Sequence, residues 1–432
     1  MPQFIAMRYY CTERPAGAIV SRTAPAPRLL KAGTFYTMVL HMRATRAIVH
    51  LDRFTGNLRA VQNRVGGTRL VCATVKADAY GHGAAEIARA GLEAGAHCLG
   101  VATVDEGAVL RKAGISAPIL LFSQPLTEEI PGILENRLSP FVSDGEFADA
   151  LNRAALAAGG KTRIAVHLKI DTGMGRLGCA PGEAVALARR LAGHDALDYA
   201  GTATHFAVSD SAAPEDLAYT ERQIAVFRET LDGIRAAGLN PGTVHAANSG
   251  AIVLHPRAWF DMVRPGIVLY GYSAVAEKPA GEKPEPESPP PLKPEPVMEL
   301  RTKVVLVKKL KKGESVSYGR TWIAPRDTAI AVLAIGYADG LPRAAGNRWE
   351  TLIGDRAYPL VGTVCMDQCM ADLGPAPRAR RWDDAVIFGG PAPGADTLAE
   401  RVGTIPYEIL CNVNKRVPRI RGGESGGQVT AG

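Results

Sequence analysis

The sequence predicts an α/β protein, a (β/α)8 TIM barrel followed by a β-rich C-terminal domain. Three observations carry that prediction. From residue 68 to about 272, strand-like apolar runs alternate with amphipathic helical stretches through eight units, the arithmetic of a closed parallel barrel. Most of the runs are continuously apolar rather than alternating, as strands covered on both faces must be. After a proline-dense stretch at 276–297 the texture changes to strands bounded by Gly, Pro and Asp.

In order, the barrel strands read as "RLVCATVKA", "HCLGVATV", "APILLFSQ", "LSPFVSD", "RIAVHLKID", "DYAGTATHF", "TVHAANSG" and "DMVRPGIVLYG". Helical patterns such as "GAAEIARAGLEAGA", "FADALNRAALAAGG" and "PEDLAYTERQIAVFRETLDGIRAAG" lie between them. An open doubly wound sheet would want a GxGxxG turn after its first strand, and none is there. The expected organisation is a leader at 1–42, a barrel at 43–275, the Pro-rich insertion at 276–297 and a β-rich domain at 298–432. The leader carries Arg8, Arg14, Arg22, Arg28 and Lys31 against Glu13 and lacks a secretory apolar region. It reads as disordered or as a start-site artefact, since Met38 and Met42 precede the first convincing strand, "RAIVHLD". The insertion cannot bury a core and is expected to be exposed and semi-rigid, or disordered. Beyond it come "MELRTKVVLVKKL", "TAIAVLAIGYA", "AYPLVGTVCMDQCMADLG", "DDAVIFGG" and a helix-like tail, "IPYEILCNVNKRVPRI".

Composition excludes several classes. Hydrophobic residues make 47% of the chain and charged residues 22%, as in soluble globular proteins. No apolar run approaches the roughly 18 residues that span a bilayer, so no membrane partner is expected. The net charge is +7, but the basic residues are scattered without interleaved aromatics, which argues against nucleic acid. Seven cysteines, an odd number without a paired framework, read as reduced thiols and favour the cytoplasm. Cys365 and Cys369 lack the spacing of a zinc site, and no metal is expected.

In such barrels the chemistry gathers at the C-terminal ends of the strands. Lys76 closes the first strand. Lys169 and Asp171, followed by "TGMGR" with Arg176, close the fifth. His205 closes the sixth, His245, Asn248 and Ser249 belong to the seventh, and Arg264 to the eighth, followed by Gly266 and Ile267. Taken singly, a strand-end lysine snorkels to solvent and a lone histidine is structural. Together they crowd one rim with cations, imidazoles and a hydroxyl. The "NSG" and "PGI" stretches add backbone N–H groups and small residues suited to a phosphate. A lysine that loses hydration there is driven toward its neutral, nucleophilic form, able to condense with an aldehyde. Pyridoxal 5'-phosphate supplies both an aldehyde and a phosphate.

"VKADAYGHG" resembles the pyridoxal-phosphate lysine motif of bacterial alanine racemases. The resemblance continues through "HLKIDTGMGRLG", "THFAVSD", "HAANSG", "VRPGIVLYG", "VSYGRTW", "AIGYADGLPR", "VGTVCMDQ" and "IPYEILCNVNKRVPR", and covers roughly residues 45–420. It implies an amino-acid racemase, an isomerase that interconverts L- and D-alanine and supplies D-alanine for peptidoglycan. It further implies a homodimer with a shared active site, in which Lys76 holds the cofactor and is one of two catalytic bases. Tyr318, from the partner's second domain, is the other base. Two groups on opposite faces fit the stereochemistry of proton removal and return. By the same resemblance His205 neighbours that tyrosine, Arg264 faces the pyridine nitrogen, and His245 orients Arg264. Tyr80, Ser249, Gly266, Ile267 and Tyr407 make the phosphate cradle, while Arg176 bonds the cofactor's phenolic oxygen and helps hold substrate. Lys169 matches a lysine that carries a carbamate in many members. Met366, with Cys365 and Asp367, matches the partner-side substrate-carboxylate pocket, and Tyr337 lines the entrance. An arginine at 264 keeps the ring nitrogen unprotonated, because guanidinium has donors and no proton to give at neutral pH. The basic leader and the Pro-rich insertion depart from the family pattern.

Competing readings are a broad-specificity, serine- or lysine-preferring racemase of the same family, or a diamino acid decarboxylase on the same architecture. The decarboxylase is expected to carry an acid where Arg264 stands. A non-catalytic pyridoxal-phosphate-binding barrel should lack both the second domain and Tyr318.

Overall fold

A computed structural model describes residues 43–159, 163–275 and 292–423. The leader at 1–42 and residues 276–291 of the insertion lie outside the described residues, as do the expectations attached to them.

Eight parallel strands close the barrel. They are β2 (Leu70–Thr74), β3 (Cys98–Val101), β4 (Ile119–Leu121), β5 (Ser139–Val142), β6 (Ile164–Lys169), β7 (Leu197–Ala203), β8 (Thr243–His245) and β9 (Met262–Val263). Closure runs through Leu70 opposite Met262 and Val71 opposite Val263. Helices α1 (Leu51–Val65), α2 (Ala84–Glu93), α3 (Val104–Lys112), α4 (Ile130–Glu135), α5 (Gly145–Ala157), α6 (Ala184–Ala192), α7 (Pro214–Ala236) and α8 (Ser249–Leu254) accompany the strands. Helix α1 buries Phe54, Asn57, Leu58, Val61 and Val65, the three-and-four spacing of a helix with one apolar face. Among the described residues no helix is long and apolar enough to cross a membrane, and the cysteines are free thiols.

The second region is organised by a long strand, β10 (Met298–Leu310). Around it lie β1 (Arg46–Val49), β11 (Ser315–Val316), β12 (Trp322–Ile323), β13 (Thr328–Leu333), β14 (Glu350–Ile353), β15 (Arg356–Pro359), β16 (Cys369–Gly374) and β17 (Asp384–Phe388). The first half of β10 pairs with β1 and β17, and its second half with β13. Three expectations are corrected here. The first strand, expected with the barrel, lies in the second sheet, because β1 pairs antiparallel to β10 and parallel to β18 (Arg419–Arg421). The helix-like tail is a helix only over α10 (Pro406–Cys411), preceded by α9 (Ala395–Val402), and its last residues are the strand β18. The end of the Pro-rich stretch is docked rather than free: Glu295 exchanges two hydrogen bonds with Asn57, at 2.8 and 2.9 Å, and Val297 is fully buried. Gly271 permits that docking, since a Cβ there would sit 2.1 Å from the Glu295 carbonyl oxygen.

Between β2 and α2 the chain makes one left-handed helical turn, Lys76–Gly81, with φ of 52 to 54° at Ala77, Asp78, Ala79 and Tyr80. For L-residues this conformation costs roughly 1–2 kcal/mol each, so the surroundings must impose it. They do so at several points. The Glu106 carboxylate, at the start of α3, accepts from the Ala77 N–H at 2.7 Å and the Ala102 N–H at 2.7 Å. Asp78 Oδ1 accepts from the Ala84 N–H at 2.8 Å, and Arg419 Nε donates to the Gly81 carbonyl at 2.8 Å. The Tyr80 ring stacks on Tyr270 at 4.6 Å. Gly81 abuts α10 so closely that a Cβ would lie 2.3 Å from the Leu410 oxygen.

The left-handed backbone makes a stability prediction opposite to helix propensity. Ala77 is exposed with φ 52°, so Ala77→Gly removes an unfavourable Cβ at the cost of chain entropy. Urea unfolding should show it neutral to about 1 kcal/mol more stable. A loss of about 1 kcal/mol, the usual outcome in a right-handed helix, contradicts this backbone.

Candidate active site

A cavity of about 450 Å3 opens at the C-terminal ends of the barrel strands, a size suited to a small molecule. Lys76, Tyr80, Lys169, Arg176, His205, Ser249, Arg264, Gly266, Ile267 and Tyr407 all line it. The lining thus collects two lysines and two arginines, and among the described residues no aspartate or glutamate lines it. Such a lining calls for an anionic ligand.

Arg264 follows β9 directly and is buried; burial lowers it to about 10, so it remains charged at neutral pH. Its Nη2 donates to the carbonyls of Thr204 at 2.8 Å and Ala246 at 3.0 Å, and its Nη1 to His245 Nδ1 at 2.7 Å. His205 Nδ1 lies 3.4 Å from Nη2. Among the described residues no carboxylate pairs with this guanidinium, and none of these bonds uses Nε. Burial, then the Arg264 charge, pushes both His205 and His245 well below the usual imidazole range. A neutral imidazole that accepts on Nδ1 carries its proton on Nε2, so Arg264 sets the tautomer of its histidine neighbours.

On the other side of the cavity, hydroxyl and backbone groups converge. Ser249 Oγ accepts from the Gly266 N–H at 2.9 Å, and a Cβ at Gly266 would lie 2.6 Å from the Tyr80 hydroxyl and 3.8 Å from Ser249 Oγ. Glycine at 266 thus keeps open a space that a side chain would fill. Tyr407, on α10, brings its ring centroid to 5.9 Å from that of Tyr80. Burial raises both phenols, Tyr407 to about 12, so both stay protonated donors for an anionic oxygen. Hydroxyl donors, cations and a glycine-made recess fit the phosphate end of pyridoxal phosphate.

The two lysines differ. Burial, then the neighbouring Arg176 cation, lowers Lys76 from the ordinary lysine value, although the side chain is only half-buried. Lys169 is buried, and burial together with the Arg264 charge lowers it to about 7; its Nζ donates to the Ile170 carbonyl at 3.3 Å. It therefore offers near neutrality the uncharged amine that carbamate formation requires. Asp171 does not line the cavity, although its charge acts on Lys169 and partly offsets the lowering there. Although burial opposes it, three backbone N–H bonds from Gly173, Met174 and Gly175 hold its carboxyl below the usual range and shape the loop that carries Arg176.

Not every expected residue is brought together. His245 lies behind Arg264 rather than on the cavity wall. Tyr318 and Met366 do not line the cavity of their own chain; they are 72% and 52% exposed, alongside Tyr337 at 43%. These three share one scaffold, the loop 362–368. Ser317 Oγ donates to the Thr363 carbonyl at 2.6 Å and Thr363 Oγ1 to the Tyr318 carbonyl at 2.9 Å. The Tyr337 and Ala338 N–H groups donate to the Cys365 and Met366 carbonyls at 3.0 Å each. Sequence reasoning missed Glu106, Phe122, which lines the cavity with its ring centroid 5.8 Å from the Arg264 guanidinium, and His167, which lies against His245. Of these only His167 carried a signal, standing two residues before Lys169 on the same inward face of β6.

Residues 49–274 match the family described as "Alanine racemase, N-terminal domain" and residues 297–421 its C-terminal domain. A protein of Treponema denticola named alanine racemase is 47% identical over 385 residues, 88% of this chain and 98% of that protein. One of Symbiobacterium thermophilum with the same name is 42% identical over 89% of this chain and 98% of that protein. Among solved structures, the alanine racemase of Streptomyces coelicolor superposes with a TM-score of 0.80 at 35% identity, covering 90% of this chain and 100% of that one. The alanine racemase of Bacillus anthracis, with bound L-Ala-P, gives 0.78 at 34% identity, covering 90% and 97%.

Because Arg176 is the largest charge acting on Lys76, Arg176→Gln should raise the pH at which Lys76 becomes reactive. Competitive acetylation followed by peptide mass spectrometry reads that midpoint. It is expected below that of an exposed lysine in the native protein and to move upward in the variant; an unmoved midpoint would remove Arg176 from the cause.

Proposed function

This chain belongs to the alanine racemase family, and we propose that it interconverts L- and D-alanine with pyridoxal 5'-phosphate, as a homodimer in the cytoplasm that supplies D-alanine for peptidoglycan. The observation that carries this reading is the buried, carboxylate-free Arg264 in a cation-lined cavity that also holds a strand-end lysine. A decarboxylase of the same architecture is expected to place an acid there.

When bound, the cofactor supplies an electron sink that acidifies the Cα–H of an attached amino acid. The Lys76 amine would hold its aldehyde, and Tyr80, Ser249, Gly266, Ile267 and Tyr407 its phosphate. Arg264 would face its ring nitrogen through a donor, and Arg176 its phenolic oxygen. Lys76 Nζ then moves a proton at Cα on one face. The opposite face needs a second group. Tyr318 Oη of a second copy fills that role, entering with Met366 and Tyr337 on one exposed scaffold. The exposure of three large side chains on a single loop system supports this, since contiguous exposed apolar surface marks an interaction site. His205, held neutral beside Arg264, would bond that tyrosine.

Two measurements test the reading. Optical rotation with a panel of L-amino acids, with and without pyridoxal phosphate, should change for L-alanine only when cofactor is present. A faster change with serine or lysine would favour a broader racemase, and no change with any amino acid would refute the function. For the shared site, Lys76→Ala and Tyr318→Phe should each be nearly inactive. Mixed and refolded at equal ratio, they should regain about a quarter of native turnover, because half the dimers carry one intact site of two. No recovery on mixing would place both bases in one chain.

A further inference from the structure

Behind Arg264 the hydrogen-bond chain has a third member. His167 and Lys169 share the inward face of β6, and His167 Nδ1 lies 2.8 Å from His245 Nε2, with the rings edge-on at 4.9 Å between centroids. Both histidines are buried, and Phe141 covers them, with ring centroids 5.8 Å from His245 and 6.3 Å from His167. The neighbouring strand leaves room for the imidazole: a Cβ at Gly201 would meet His167 Nδ1 at 2.2 Å and the Thr243 oxygen at 2.6 Å.

The direction of this chain is fixed at one end. Arginine only donates, so His245 Nδ1 must accept from Arg264. A neutral His245 then holds its proton on Nε2 and donates it toward His167, whose Nδ1 must accept. We propose that His167 is a positioning residue for Arg264: by accepting on Nδ1 it locks His245 in the one tautomer that can hold the guanidinium, and Gly201 is the space that lets it do so. This rests on the reading of Arg264 as the group that faces the cofactor's ring nitrogen. If His167 cannot accept, the buried Nε2–H of His245 loses its partner, and the tautomer that donates on Nδ1 sets two donors against each other at Arg264. The guanidinium then shifts or loses one of its anchors.

The test starts on native protein prepared without cofactor. Solid-state NMR of 15N-histidine-labelled protein should show His245 protonated on Nε2, with a coupling across the hydrogen bond to an unprotonated His167 Nδ1. A proton on His167 Nδ1, or no coupling, overturns the proposal without any variant. His167→Gln keeps an acceptor in its side-chain carbonyl and should retain the His245 tautomer; His167→Leu should give a mixture. In the loaded enzyme, the side reaction that moves the amino group from alanine onto the cofactor and releases pyruvate gives a second readout. Pyruvate per racemisation turnover should rise by about tenfold in His167→Leu and stay near native in His167→Gln. An unchanged ratio and an unchanged tautomer in His167→Leu refute the positioning role. Arg264→Gln separates the two levels, since a native pyruvate ratio in that variant refutes the reading of Arg264 and leaves the tautomer result to judge His167.

Discussion

The constraint on which this structure turns is the gathering of two lysines and two arginines at the mouth of the barrel, in a cavity that no carboxylate lines among the described residues. Lys76, Lys169, Arg176 and Arg264 all border one cavity of about 450 Å3. Lys169 and Arg264 are buried there, Lys76 is half-buried and Arg176 is exposed; a charge taken out of water is costly, and a protein relieves it by deprotonation, by backbone carbonyls or by a bound anion. All three responses are visible here. The two lysines are pushed toward their neutral amines, Arg264 is wrapped by the carbonyls of Thr204 and Ala246, and the cavity offers hydroxyl donors to an anion. The histidines are kept neutral by burial and the same field, which makes them usable as directed hydrogen-bond acceptors rather than as acids.

Positioning this charge requires a scaffold under strain. The left-handed turn after β2 sets Lys76 and Tyr80 within one loop, so that an amine and a phenol reach the same cavity from adjacent positions. Glu106 fixes the start of the turn, and Arg419 and α10, both from the end of the chain, fix its close. Because β1 and β18 also pair in the second sheet, the first and last strands described here are joined beside the barrel. The second region is thus part of the site within a single chain, since Tyr407 on α10 lines the barrel cavity.

Much of this was legible in the sequence, for reasons that differ by element. Barrel strands announced themselves as apolar runs because both of their faces are covered. The rim residues were legible because a polar side chain at the end of an apolar run has few other uses. What stayed hidden depended on contacts distant in sequence. Nothing local in "RAIVHLD" says that it pairs with residues 298–301, and the docking of Glu295 depends on Asn57 far upstream. The handedness of the turn was hidden too, because Ala77, Asp78, Ala79 and Tyr80 are forced into it by neighbours. His167 was passed over because its partner, His245, lies two strands away around the barrel.

The most direct measurement of the central claim asks which amine the cavity has prepared. Protein incubated with pyridoxal phosphate and then reduced with borohydride should carry the cofactor on Lys76 and nowhere else, by peptide mass spectrometry. Lys169 is the demanding control, since its amine is lowered further, to about 7, and it borders the same cavity. Label on Lys169, or on surface lysines in proportion to their exposure, would contradict the account.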